Sequence, residues 1–111
     1  MNAIRPIRIL GLDPGLRRTG WGVRLVHVAH GVIAPKDTLP FADRLLELLA
    51  GIEAVIAEHT PDEAAVEETF VNENARSALK LGHARAMALV APARAGLPVA
   101  EYAASVVKKA V

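Results

Sequence analysis

The stretch that most constrains the fold runs from Ile7 to Val28. Ile7 to Leu12 is an apolar run that reads as a buried strand. It ends on a carboxylate, Asp13, and Pro14-Gly15 follows at once. Proline presets φ at the second position of a turn and glycine takes positive φ at the third, so a type II turn is expected. A second apolar-rich run, Trp21 to Val28, leads back. The pattern predicts a β-hairpin with one acid at the end of its first strand, beside a glycine turn. Such an acid suits Mg²⁺ held between protein and a substrate phosphate, because the glycines let a phosphate backbone come close. It equally suits a residue that simply starts a turn.

The rest of the chain alternates strand and helix signals. Gly31 to Ala34 reads as a third strand ending at Pro35, after a tight turn around Ala29 to Gly31. Thr38 is positioned to cap a helix with Pro40 in its first turn. Phe41, Leu45, Leu48, Leu49, Ile52, Val55 and Ile56 then recur at helical spacing to about Glu58, which leaves Asp43, Arg44, Glu47 and Glu53 mostly outside. Thr60-Pro61 stops this helix. Ala64 to Glu67 reads as a buried parallel strand and Thr69 to Glu73 as a loop. Asn74 is a cap for a long helix on which Ala75, Ala78, Gly82 and Ala86 form a small-residue stripe that permits close packing of another backbone. Pro92 is expected to kink or break that helix and Gly96 to end it. Leu97 to Ala100 is a last short strand, with another helix or loop beginning at Tyr102. The order β-β-β-α-β-α-β predicts an α/β domain, a mixed sheet of three antiparallel and then parallel strands flanked by helices.

At 111 residues the chain is one domain. It has no cysteine, which excludes disulfides and thiolate metal sites and fits a reducing compartment. No apolar run approaches the roughly 18 residues of a membrane span, and the N-terminus lacks the apolar core of a signal peptide, so a cytoplasmic location is expected. The net charge of +1 hides a segregation. Residues 1–36 hold six basic side chains and one acid, Asp13; residues 37–73 hold ten acids and one base, Arg44; residues 74–111 hold six bases and one acid, Glu101. Two basic segments flanking an acidic one can build a positive face for a polyanion, or leave a solvated acidic helix mid-chain. His27 and His30, three apart on a strand, would point to opposite faces, so no histidine metal site is expected.

Glu67 ends the fourth strand. If that strand lies beside the first, Glu67 faces Asp13 across the sheet end, and two such carboxylates repel unless a cation sits between them. Phosphodiester cleavage uses cations in this way. Glu67 also fits an ordinary glutamate next to Glu68. A strand-Asp-x-Gly pattern opens actin-like kinases and ATPases too, but that fold needs a second domain for which 111 residues leave no room.

Four blocks in order carry a more specific signal: Ile9-Leu10-Gly11-Leu12-Asp13-Pro14-Gly15 with Thr19-Gly20-Trp21-Gly22; Pro61 to Phe70; Ser77-Ala78-Leu79-Lys80-Leu81-Gly82-His83-Ala84-Arg85; and Leu97 to Ala103. Together they resemble the RuvC family of Holliday junction resolvases over nearly the whole chain. The resemblance implies a ribonuclease H-like fold, a homodimer, and Mg²⁺-dependent cutting of two strands of a four-way DNA junction in recombination and repair. It implies Asp13 and Glu67 as catalytic metal ligands, Phe70 as an aromatic side chain pushed into the junction, Lys108 as a base near the scissile phosphate, and the RuvA and RuvB branch-migration proteins as partners. Arg17, Arg18, Arg76, Lys80 and Lys108 are candidate phosphate contacts.

The chain departs from the family pattern in places. Ala86 stands where glycine is common and His83 where glutamine is common, and the turn after the second strand is short. The family's last two catalytic acids lie on a C-terminal helix beyond Val111. The 111 residues are therefore expected to form a ribonuclease H-like domain incomplete at that end, binding junctions better than it cuts them. A non-catalytic DNA-binding or dimerisation module derived from the family is the alternative, and a Mg²⁺ cleavage assay separates the two.

Overall fold

The computed structural model describes residues 7–15, 17–24, 27–68 and 75–103. Within them the elements are β1 (Ile9–Asp13), β2 (Thr19–Arg24), β3 (His27–Ile33), α1 (Phe41–His59), β4 (Glu63–Glu68), α2 (Ala75–Arg94) and β5 (Val99–Ala103). They form one five-stranded sheet in the order β3-β2-β1-β4-β5. β1, β2 and β3 are antiparallel neighbours, whereas β4 lies parallel to both β1 and β5. Parallel neighbours need crossovers, and α1 and α2 supply them. This is the mixed α/β sheet that the element order predicts.

Alternation along the strands sorts the residues between two faces. Leu10, Leu12, Val23, Ala64 and Val66 form one core with Leu48, Ile52 and Val55 of α1 and with Ala84, Ala88 and Ala91 of α2. Both described helices therefore cover the same face. Leu10, Leu12, Ile52 and Val66 are fully buried there, each burial contributing about 1.5–3 kcal/mol. The alternate residues Gly11, Asp13, Gly20, Gly22, Ala65 and Glu67 point to the opposite face.

Two junctions set the helices against the sheet. Thr60, at φ 44°, closes α1 in the left-handed conformation and donates its N–H to the Ile56 carbonyl at 2.9 Å. Pro61 disfavours a further helical residue there. Arg8 then ties this end to β1: its guanidinium donates to the His59 carbonyl at 2.7 Å and its backbone N–H donates to Asp62 Oδ2 at 2.7 Å. A cation on the last carbonyls complements the helix dipole. At the far edge, Glu101 of β5 is ion-paired with Arg85 of α2. The lone acid of the basic C-terminal segment is thus a structural partner.

Several local expectations are corrected. β2 stops at Arg24 and His27 to Ala29 already belong to β3, so the chain reverses between Arg24 and His27 and not around Ala29 to Gly31. Gly31 is a strand residue paired with Trp21, and a methyl group there would sit 2.8 Å from the indole ring. The glycine makes room for Trp21. Gly31→Ala is expected to lower stability by about 1–3 kcal/mol, the usual cost of overpacking, read as a lower urea midpoint at unchanged m-value.

The cap of α1 is Pro40, not Thr38, and no side chain caps its first turn. Pro92 does not break α2, which continues to Arg94 with Pro92 buried in its last turns. The missing N–H leaves the Ala88 carbonyl without its helical partner, and only two helical residues follow. Gly96 ends α2 at φ 81°, as predicted. The last strand reaches Ala103, so Tyr102 belongs to it.

Candidate active site

Asp13 is the last residue of β1 and Glu67 the penultimate residue of β4. The parallel register pairs Leu12 with Val66, so the next residues, Asp13 and Glu67, are neighbours on adjacent strands and point to the same face. Gly20 flanks Asp13 on β2, and Tyr102 flanks Glu67 on β5. The row Gly20–Asp13–Glu67–Tyr102 crosses one end of the sheet on the face away from both described helices. Asp13 is exposed, whereas Glu67 is 3% exposed. A methyl group at Gly20 would stand 3.9 Å from the Asp13 Cβ. Glycine therefore leaves that flank of the carboxylate open.

The turn after Asp13 is tight for another reason than the one predicted. Gly15 is not in the left-handed region, which corrects the type II assignment. A Cβ at Gly15 would collide with the Arg18 carbonyl oxygen. The loop can close only without a side chain at that position.

The basic candidates divide. Arg17 and Arg18 are exposed and line a hollow on the helix side of the β1–β2 loop, at the same sheet end as Asp13. Lys80 projects from α2 towards the Phe41 ring, with Nζ 5.7 Å from its centroid. Arg76, exposed one turn earlier, shares the helix face of Lys80. Phe70 and Lys108 lie outside the described residues. Arg44, whose helical position predicts the solvent side of α1, is only half-exposed. Its guanidinium stands 5.7 Å from the Phe41 centroid and it lines the same hollow. Thr19, which reads in the sequence as a plain strand residue, is 1% exposed in that lining.

Among the described residues no group of three or more His, Cys, Asp or Glu is placed to hold a metal ion. His27 and His30 both lie on β3. The metal chemistry available there is that of the carboxylate pair. Two hard oxygen donors side by side fit Mg²⁺, which is usually held by one or two carboxylates with substrate phosphates and water completing its shell.

The family model for the crossover junction endodeoxyribonuclease RuvC matches residues 9–111. The chain belongs to the RuvC family. Its relatives include the RuvC of Caulobacter vibrioides, 69% identical over 118 aligned residues that cover all of this chain and 70% of that protein. The RuvC of Maricaulis maris is 59% identical, covering 95% of the chain and 67% of the relative. Among solved structures, Thermus thermophilus RuvC in complex with a Holliday junction substrate superposes with a TM-score of 0.81 at 30% identity, over 93% of this chain and 68% of that one. The five-stranded sheet and its two helices are thus the ribonuclease H-like fold of RuvC. No helix of the described residues is long and apolar enough to cross a membrane.

Proposed function

We propose that this chain is a Mg²⁺-dependent, structure-specific endonuclease that resolves four-way DNA junctions in recombination and repair. The observation that carries the reading is the Asp13–Glu67 pair, adjacent in register on one face at the sheet end, in a member of the RuvC family. Asp13, exposed at the strand end beside the glycine loop, would bridge or hold the cation. Glu67, buried beside it, would hold the cation and orient water. A divalent cation bound by the pair would activate that water and stabilise the leaving oxygen. Arg17, Arg18, Arg76 and Lys80 bind the DNA backbone. Phe70 enters the junction and Lys108 lies near the scissile phosphate.

The assembly belongs to the same reading. A four-way junction presents two strands for symmetrical cutting, which suits a homodimer. Support comes from α2, whose Ala75, Ala78, Leu79 and Gly82 are exposed, with no atom of the other described elements within 4 Å of the place a Gly82 side chain would occupy. The partners are then junction DNA, a second copy of the chain, and the RuvA–RuvB branch-migration complex, in the cytoplasm.

The test is a binding titration beside a cleavage time course on a synthetic four-way junction. Binding is expected with and without Mg²⁺, whereas paired nicks on opposing strands are expected only with it and should stop when EDTA is added. Nicking that persists in EDTA would refute the metal role. Binding with no nicking under any divalent cation would favour the non-catalytic module.

A further inference from the structure

We infer that the hollow between the β1–β2 loop and the start of α1 is a binding site for a phosphate-type oxyanion, separate from the Asp13–Glu67 pair. The hollow is a shallow concavity open to solvent. Arg17, Arg18 and Arg44 line it together with Thr19 and Phe41, and no acidic side chain does. Its apolar floor includes Leu48 and Ala84. Three arginines in one lining without a carboxylate concentrate positive charge there, and an anion offsets their mutual repulsion.

Two further observations aim donors at the same space. Among the described residues the buried Thr19 hydroxyl has no hydrogen-bond partner, and neither does the buried Arg44 Nε. Buried polar atoms are nearly always satisfied, so two orphans in one lining point to an absent ligand. The hollow also includes Phe41, the first residue of α1, whose N-terminal turn has Pro40 as its cap and no side-chain cap. The first turn of this 19-residue helix holds Asp43 but has no side-chain cap, so its N–H donors are left to an anion in the hollow.

Topology separates this site from the acidic one. Thr19 alternates with Gly20 on β2, so its side chain points to the helix side while Gly20 lies beside Asp13 on the other. The loop from Asp13 to Thr19 thus carries a carboxylate on one side and an anion seat on the other. On DNA the occupant would be a backbone phosphate away from the one being cut, an assignment that rests on the proposed function. A free phosphate supplies the same chemistry.

The test uses the 111-residue chain in phosphate-free buffer at constant ionic strength. Inorganic phosphate is titrated against a chloride control and followed by amide ¹H–¹⁵N shifts. Saturable shifts confined to Thr19 and the first turn of α1 are expected with phosphate and not with chloride. Thr19→Val removes only the hydroxyl. It should fold with an unchanged or higher Tm, since a buried hydroxyl without a partner is a cost. Phosphate affinity should fall about tenfold in Thr19→Val and in Arg44→Gln.

Equal shifts with chloride, or variants that bind phosphate as tightly as the parent, would overturn the site. The parent titration decides even if a variant fails to fold. A junction titration then assigns the source. A loss of junction affinity of about tenfold in both variants identifies a DNA phosphate, and unchanged junction affinity beside lost phosphate binding identifies a free phosphate. A parent chain that binds phosphate here but no junction leaves this site standing and overturns the proposed function.

Discussion

Asp13→Asn is expected to slow junction cleavage in Mg²⁺ at least about a hundredfold while leaving junction affinity within about threefold of the parent. The substitution keeps the size of the side chain and removes the charge that attracts the cation. Losing one ligand of such a cluster costs several kcal/mol of transition-state stabilisation, and each ~1.4 kcal/mol is tenfold in rate. Binding is spared because Asp13 is an acid beside a polyanion, so removing its charge does not weaken the electrostatic attraction. The fold is spared too, because Asp13 is exposed at the end of its strand. Single-turnover rates beside equilibrium binding make the check. Equal losses in rate and affinity would show that Asp13 positions DNA and does not serve the chemistry.

The second large effect concerns salt. Arg17, Arg18, Arg76 and Lys80 are exposed and not consumed by ion pairs to acids among the described residues. If each neutralises one phosphate, the slope of log affinity against log salt is about −0.9 per contact. Four contacts then weaken junction binding on the order of a hundredfold between roughly 50 and 200 mM salt. The double variant Arg17→Ala, Arg18→Ala should flatten the slope by about two units. An unchanged slope would remove the β1–β2 loop from the DNA face.

What was legible in the sequence follows from which forces were local. Asp13 and Glu67 could be found because each ends an apolar run, and the strand order that joins them follows from the crossover between β1 and β4. The acidic helix α1 was readable from its apolar period alone. The β2–β3 reversal was not, since the apolar Val26-His27-Val28 continues the pattern of β2 and Gly31 imitates a turn. Its actual role, making room for the Trp21 ring, exists only once the strands are paired. Gly15 was rightly singled out for the wrong reason. Its lack of a side chain matters through the Arg18 carbonyl three residues on, and not through its own φ.

Arg44 and Thr19 were missed for a related reason. On the helical wheel Arg44 belongs to the solvent side, and Thr19 reads as a plain strand residue. Only the approach of the β1–β2 loop to the start of α1 brings them into one lining. Glu101 shows the converse. Its isolation among basic residues is explained by the ion pair with Arg85, not by chemistry at the site.

The central claim is that Asp13 and Glu67 hold one divalent cation between them at the sheet end. Mn²⁺, which takes the same oxygen ligands as Mg²⁺, reports on it directly through paramagnetic broadening of amide resonances in the junction-bound chain. Broadening should centre on Gly20, Asp13, Glu67 and Tyr102, and either Asp13→Asn or Glu67→Gln alone should abolish it. Broadening centred elsewhere, or surviving both substitutions, would contradict the shared site.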